Sequence, residues 1–147
     1  MARSLGSAKA LAVVVLVIGA LMIVAGAVTW YMVQDELSAA RITVAEDADM
    51  LAGDEVDGPF SAYAEAEIID EHALEATGGK TYAELDREDP LRETAMSASF
   101  LRASLFTSVV AFGVAAMAMG LGLTLILIAL SLMSVAKANA PRETVVT

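Results

Sequence analysis

Apolar residues fall in two long blocks along this chain, with a polar block between them. No charged residue occurs from Ala10 to Gln34, and none occurs from Ala103 to Ala136. About 20 apolar residues cross the hydrocarbon core of a bilayer as a helix. Both blocks exceed that length, and they predict transmembrane helices over residues 10–33 and 103–136. The second block, 34 uncharged residues, would measure about 51 Å at the helical rise of 1.5 Å per residue. A hydrocarbon core is about 30 Å thick, so this helix has to tilt or protrude. Its start carries a signal of its own: Asp89 suits an N-cap, Pro90 the first helical position, and Glu93 the first turn. That places the start of the second long helix near residue 90.

The middle block, residues 34–102, has a shorter rhythm. Ile42 to Val44 is β-branched and fits a small strand, followed by an acidic, glycine-containing loop. "FSAYAEAEIIDEHALEAT" predicts a helix over about 60–77, stopped by Gly78. On that helix Ala62, Ala66, Ile69, Ala73 and Ala76 form a charge-free stripe, with Glu67, Asp70, Glu71 and Glu75 off it. Such a stripe suits close packing on another helix, and the protruding start of the second span is the candidate. "TYAELDRED" reads as one more helical turn leading to Asp89.

Small residues predict how the spans meet. Gly19 and Gly26 stand seven apart in the first, Gly113 and Gly120 seven apart in the second, and Ala116 with Gly120 makes a small-xxx-small step. Small residues let membrane helices approach closely, and a seven-residue repeat keeps them on one face of a left-handed pair. Counting inward from the outer ends sets Gly26 near Gly113 and Gly19 near Gly120. The expectation is an antiparallel hairpin closed on Gly19, Gly26, Gly113, Ala116 and Gly120.

Charge adds orientation. Arg3 and Lys9 precede the first span, and Lys137 and Arg142 follow the second. Basic flanks favour the cytoplasm, which assigns residues 1–9 and 137–147 to the inside of a plasma membrane. Residues 34–102 carry 18 acidic and 5 basic residues and are assigned outside, so the net charge of −10 belongs to the exported part. An acidic surface disfavours nucleic acid and anionic headgroups as partners. "AGA" at Ala25 to Ala27 resembles a signal-peptide cleavage site. The apolar run continues through Val33, however, and Trp30 and Tyr31 suit an interfacial belt, which favours a retained helix. The 147 residues include no cysteine, so no disulfide staples the exported part. At about 65 residues it is near the lower limit for an independent core. It is expected to lean on the membrane helices, on a second copy, or on a protein partner.

Chemistry-bearing motifs are sparse. The spans contain no ionisable residue, so they lack the mark of transporters and proton relays. Their polar atoms are limited to residues such as Thr29, Thr107, Ser108, Thr124 and Ser131, a thin stripe at most. Lys80 and Arg87 stand in an acidic stretch and are expected to form internal salt bridges. "GGKT" suggests a phosphate loop, but the glycine required five residues before Gly79 is Leu74, and the preceding segment reads as helix rather than strand. Nucleotide is therefore not expected. Read as a calcium loop, Asp47 and Asp49 fit, yet Leu51 occupies the next ligand position. Asp54, Glu55 and Asp57 read as solvated. His72 is the only histidine, too few for a multi-histidine zinc site or a two-histidine iron site, and it reads as a helix-surface residue.

The run "GPFSAYAEAEIIDEHALEATGGKTYAELDREDP" followed by "ASFLRASLFTSVVAFGVA" resembles a family of small two-span membrane proteins of actinobacteria, over about Ile42 to Val135. The resemblance implies membrane location and a function not known. Members often carry the label of aromatic ring-opening dioxygenase, an activity that uses a histidine-bearing iron site. With His72 alone there is no catalytic residue to carry over.

The expected architecture is an all-α membrane protein, a two-helix transmembrane hairpin with a small, mostly helical, acidic extracytoplasmic segment. Its expected role is that of a non-enzymatic accessory or scaffold subunit, without metal or cofactor, with an oligomeric pore as the alternative.

Overall fold

A computed structural model of the protein describes residues 2–138, with side chains from residue 9 onward. The positive charges expected at Arg3 and Arg142 lie outside the described side chains. Three helices form: α1, Ala2–Ala40; α2, Pro59–Ala76; and α3, Arg92–Ala138. The described residues contain no strand. Where one was expected, Thr43 and Glu55 make an isolated antiparallel bridge. Val44 N–H donates to Asp54 O and Val56 N–H to Ile42 O, both at 2.9 Å.

Local chemistry sets the helix ends. α1 ends as Arg41 turns to a φ of 54°, a left-handed conformation that a helix cannot continue through. α2 begins at Pro59, whose missing N–H costs nothing at a first helical position. Ser61 Oγ accepts from Gly58 N–H at 3.1 Å and Asp57 N–H at 3.2 Å, which fixes the entry. At its other end Thr77 N–H donates back to Ala73 O at 3.1 Å, and Gly79 N–H to Leu74 O at 2.7 Å. Gly78 and Gly79 take φ of 67° and 83°, values that glycine adopts without a Cβ penalty. α2 thus starts and stops one residue earlier than the expected 60–77. Asp89 Oδ1 accepts from Leu91 N–H at 2.9 Å, so Pro90 and Leu91 are drawn into a turn. Regular α3 starts at Arg92 rather than at Pro90.

The stretches Lys9–Ala40 and Arg92–Ala138 are long and apolar enough to cross a membrane. Only 17 % of the most apolar window of each is buried inside the protein, whereas a soluble core helix would be mostly covered.

The chain divides into two compact units, one of Met1–Val28 with Ala115–Thr147, the other of Thr29–Val114. In the first, α1 buries Ala12, Gly19 and Gly26, and α3 buries Ala115, Gly122, Ala129 and Ala136. Each set repeats every seven residues. A Cβ placed on Gly19 would stand 2.6 Å from the Gly122 carbonyl oxygen, and one on Gly26 would stand 2.7 Å from that of Ala115. Backbone meets backbone at both levels, which only small residues permit. The α3 residues in this contact therefore differ from those expected. Gly113 and Gly120 face open space, and Ala116 is exposed. Ala115 and Gly122 stand two positions on from Gly113 and Gly120. At 3.6 residues per turn that is about 200° around the helix, so the expected glycines occupy the opposite face.

In the second unit the core comprises Leu37, Val44, Val56, Ala62, Ala64, Ala66, Leu105 and Phe112. Trp30 packs edge-on against Phe112, ring centroids 4.7 Å apart. Ala62 and Ala66 of the alanine stripe are buried, whereas Ala76 at its end is exposed. Ala64 and Ile68, on another face of α2, are buried too. α2 is thus covered from two sides, and its second cover is the acidic loop. Val44 and Val56 are 1 % and 0 % exposed, so that loop points its carboxylates outward and its valines into the core.

Candidate functional site

The most chemically varied part of the second unit is the face of α2 bordered by the 41–58 loop. Ala48, Asp49 and Met50 line one side of a groove of about 440 Å³; α2 contributes Ala64 and Ile68 with Glu67, Glu71 and Glu75. Its apolar lining comes from the alternation that buries Ala64 and Ile68, and its rim is anionic. Two polar contacts hold the loop in place. Glu65 Oε2 accepts from Ala45 N–H at 3.0 Å, and His72 Nε2 meets Asp47 Oδ2 at 2.7 Å. Sequence reasoning missed both. The partners are 20 and 25 residues apart, and no short-range spacing signals them.

The hydrogen bond to Asp47 raises the His72 pKa above the ordinary histidine value, reinforced by the charges of Asp47, Glu75 and Glu71. The same bond lowers that of Asp47. The sign of the pH dependence follows. Histidine's contribution is complete below its unfolded value and is lost as pH rises through the raised folded value; that of Asp47 is lost as pH falls through its lowered one. The clasp is therefore strongest between the ordinary aspartate and histidine values, about 3.9 and 6.5. Both side chains are well exposed, so the effect is local. Amide exchange in residues 42–56 is expected to speed up from pH 6 to pH 8 beyond the intrinsic rate increase. His72→Ala should erase that excess, and an excess that survives the substitution would refute the clasp.

On the side of α2 facing α3, Arg102 Nη1 bridges to Asp70 Oδ1 at 3.2 Å and lies over the Phe106 ring at 5.4 Å. Phe106 packs edge-on against Tyr63 at 5.8 Å. The Tyr63 hydroxyl donates to Glu67 Oε1 at 2.6 Å, a bond that raises the phenol pKa because ionisation would break it. The connector after α2 is fixed by Arg92, which stacks on the Tyr82 ring at 4.1 Å and donates to the carbonyls of Tyr82 and Leu85. Among the described residues Lys80 and Arg87, the cations expected to pair, make no salt bridge; Arg102 does.

The motif residues have plain structural uses. Gly78 and Gly79 close α2. Thr81 N–H and Oγ1–H both donate to Glu84 Oε2 at 2.8 Å, which holds the Glu84 carboxylate below its usual range. A carboxylate of the chain's own thus occupies both Thr81 donors. Asp47 of the supposed calcium loop turns to His72, and no described group of three or more His, Asp or Glu side chains is placed to hold a metal. No serine hydroxyl among the described residues bonds to His72. In the thin hydroxyl stripe, Thr107, Ser108, Thr124 and Ser131 each donate to the carbonyl four residues back in α3. Their protons are committed to their own helix.

Comparison with protein families, with curated proteins and with solved structures finds no match to this chain.

Proposed function

We propose that the chain is a non-enzymatic plasma-membrane protein whose two long helices cross the bilayer as an antiparallel hairpin, both termini cytoplasmic. The α2 module then lies outside the cell and acts as an accessory or scaffold subunit, docking a second protein or a second copy. Support for the hairpin comes from the order of contacts: as α1 runs from Gly19 to Gly26, its neighbour on α3 moves back from Gly122 to Ala115. The sparse burial of both apolar windows supports lipid as their surroundings. Basic residues at both chain ends and the acidic centre support the orientation.

The observation that carries the docking role is the groove itself. It opens to solvent, rimmed by Asp49, Glu67, Glu71 and Glu75 and floored by Ala64 and Ile68. It has the apolar floor and polar rim of a protein contact. The opposing hydroxyl stripe gives a pore little to work with.

Purification in mild detergent is expected to yield an assembly larger than the monomer. The double substitution Glu67→Lys/Glu71→Lys should reduce it to the monomer while leaving Trp30 emission unchanged. Recovery of the monomer alone from the unsubstituted protein would sink this reading.

A further inference from the structure

Phe60 is 76 % exposed, the highest exposure among the large apolar side chains of the protein's described residues. It stands in the polar middle block, where such a side chain faces water unless something else covers it. Its level along the second unit can be read from contacts. Tyr63 lies against Phe106, and Asp70 pairs with Arg102. Ala73 and Leu74 share a groove with Ala95 and Ala98. α2 therefore runs opposite to α3. Phe60, three residues before Tyr63 and about 4.5 Å further along at 1.5 Å per residue, reaches the level of Val109 and Val110.

The same level can be located on α1. Met32, Val33 and Glu36 share a groove with Thr107, Ser108 and Ala111, and Trp30 contacts Phe112. Phe60 thus stands level with Met32 and Val33. Asp35 and Glu36 are the first charges of α1 after its apolar block, so Phe60 lies on the apolar side of that boundary. Its exposed neighbours in level are Tyr31 at 68 %, Met32 at 64 % and Val110 at 63 %. These exposed large apolar side chains, an aromatic among them, suit the belt where a membrane helix meets headgroups.

We propose that Phe60 is a membrane anchor: the N-terminal turn of α2 rests on the outer leaflet, its phenyl ring in lipid beside Tyr31 and Met32. The inference rests on the membrane reading above and adds a third contact with the bilayer, from the segment between the spans. The exported module then lies against the membrane surface with its acidic groove at a fixed height, rather than standing free on its two helices. The occupant is lipid because the ring shares its level with residues of both apolar blocks, and because Asp57, the acidic residue nearest in sequence, stands before Gly58 and off α2, while Glu65, the nearest on α2, is turned to the Ala45 amide.

The absence of cysteine allows a direct test in the full-length protein. A solvent-sensitive fluorophore is attached to Phe60→Cys, and to Val110→Cys and Ala76→Cys as references in the apolar block and at the far end of α2. Each is reconstituted in phosphatidylcholine vesicles with or without acyl-chain nitroxide lipid. The label at 60 is expected to emit blue-shifted from that at 76, to lose intensity with nitroxide lipid as the label at 110 does, and to resist aqueous iodide. Phe60→Trp, read as the added component over Trp30 and quenched by brominated lipid, asks the same with a ring retained. A label at 60 open to iodide like that at 76 overturns the anchor while leaving the membrane reading intact. Shielding from both quenchers overturns it in favour of a protein surface. Iodide quenching at 110 as well would overturn the membrane reading and the anchor together.

Discussion

Replacing Gly122 by leucine is expected to force α1 and α3 apart around Gly19, whereas the same replacement at Gly120 leaves them paired. The contrast is one of helical phase. A Cβ on Gly122 would stand 2.5 Å from the Gly19 carbonyl oxygen and 2.8 Å from the Ile23 side chain; on Gly120 it would meet nothing within 4 Å. The Ile23 side chain can turn away, but the Gly19 carbonyl is part of a hydrogen-bonded helix and cannot. Overpacking a close contact costs about 1–3 kcal/mol, and a clash with backbone belongs at about the top of that range. Leucine at position 120 faces outward and gains about 1 kcal/mol of helix propensity over glycine. Ala12 and Ala129 are both fully buried and lie one heptad beyond the Gly19–Gly122 contact on each helix. A cysteine at each, in a chain with no other, should oxidise to a disulfide. The cross-link is expected to persist with Gly120→Leu and to be lost with Gly122→Leu. Its survival in the second variant would show that the helices do not meet on this face.

That pair of glycines also marks how far the sequence can be read. The existence of both long helices, the extent of α2 to within a residue, and its stop at Gly78 were legible, whereas the cap expected at Asp89 is a turn two residues short of α3. Each depends on local composition or on a residue with a special backbone conformation. The face on which two helices meet is a different quantity. One residue turns a helix by about 100°, so an offset of two positions in depth exchanges the contact face for the outer one. Blocks that are apolar on every side offer no polar stripe to set the phase. The acidic loop failed for a related reason. Val44 and Val56 are single valines among carboxylates, and average composition says nothing of which way two side chains point. His72 and Asp47 were equally hidden, because a contact across 25 residues exists only once the loop has folded back over α2.

Removing the Phe112 ring is expected to be the most damaging single truncation in the second unit. Phe112 is 1 % exposed, sits edge-on to Trp30, and belongs to the cluster that holds Leu37, Val44, Val56 and Ala62. Truncation of a buried phenylalanine to alanine costs about 3–5 kcal/mol, partly lost transfer energy and partly the cavity left behind. Phe100, on the same helix, is 68 % exposed. Its truncation falls in the class of surface changes worth about 0.5 kcal/mol or less. Trp30 is the only tryptophan, so its emission reports the Phe112 contact directly, and unfolding in graded denaturing detergent gives the stability difference. The damage should also reach the loop over α2. Val44 and Val56 share the cluster and donate their amides to Asp54 O and Ile42 O, so Phe112→Ala should speed exchange of those two amides. Phe100→Ala should leave them protected. If the two variants unfold alike, the seating of α2 and its loop does not depend on the Trp30–Phe112 contact, and the valines beneath the acidic loop must hold it alone.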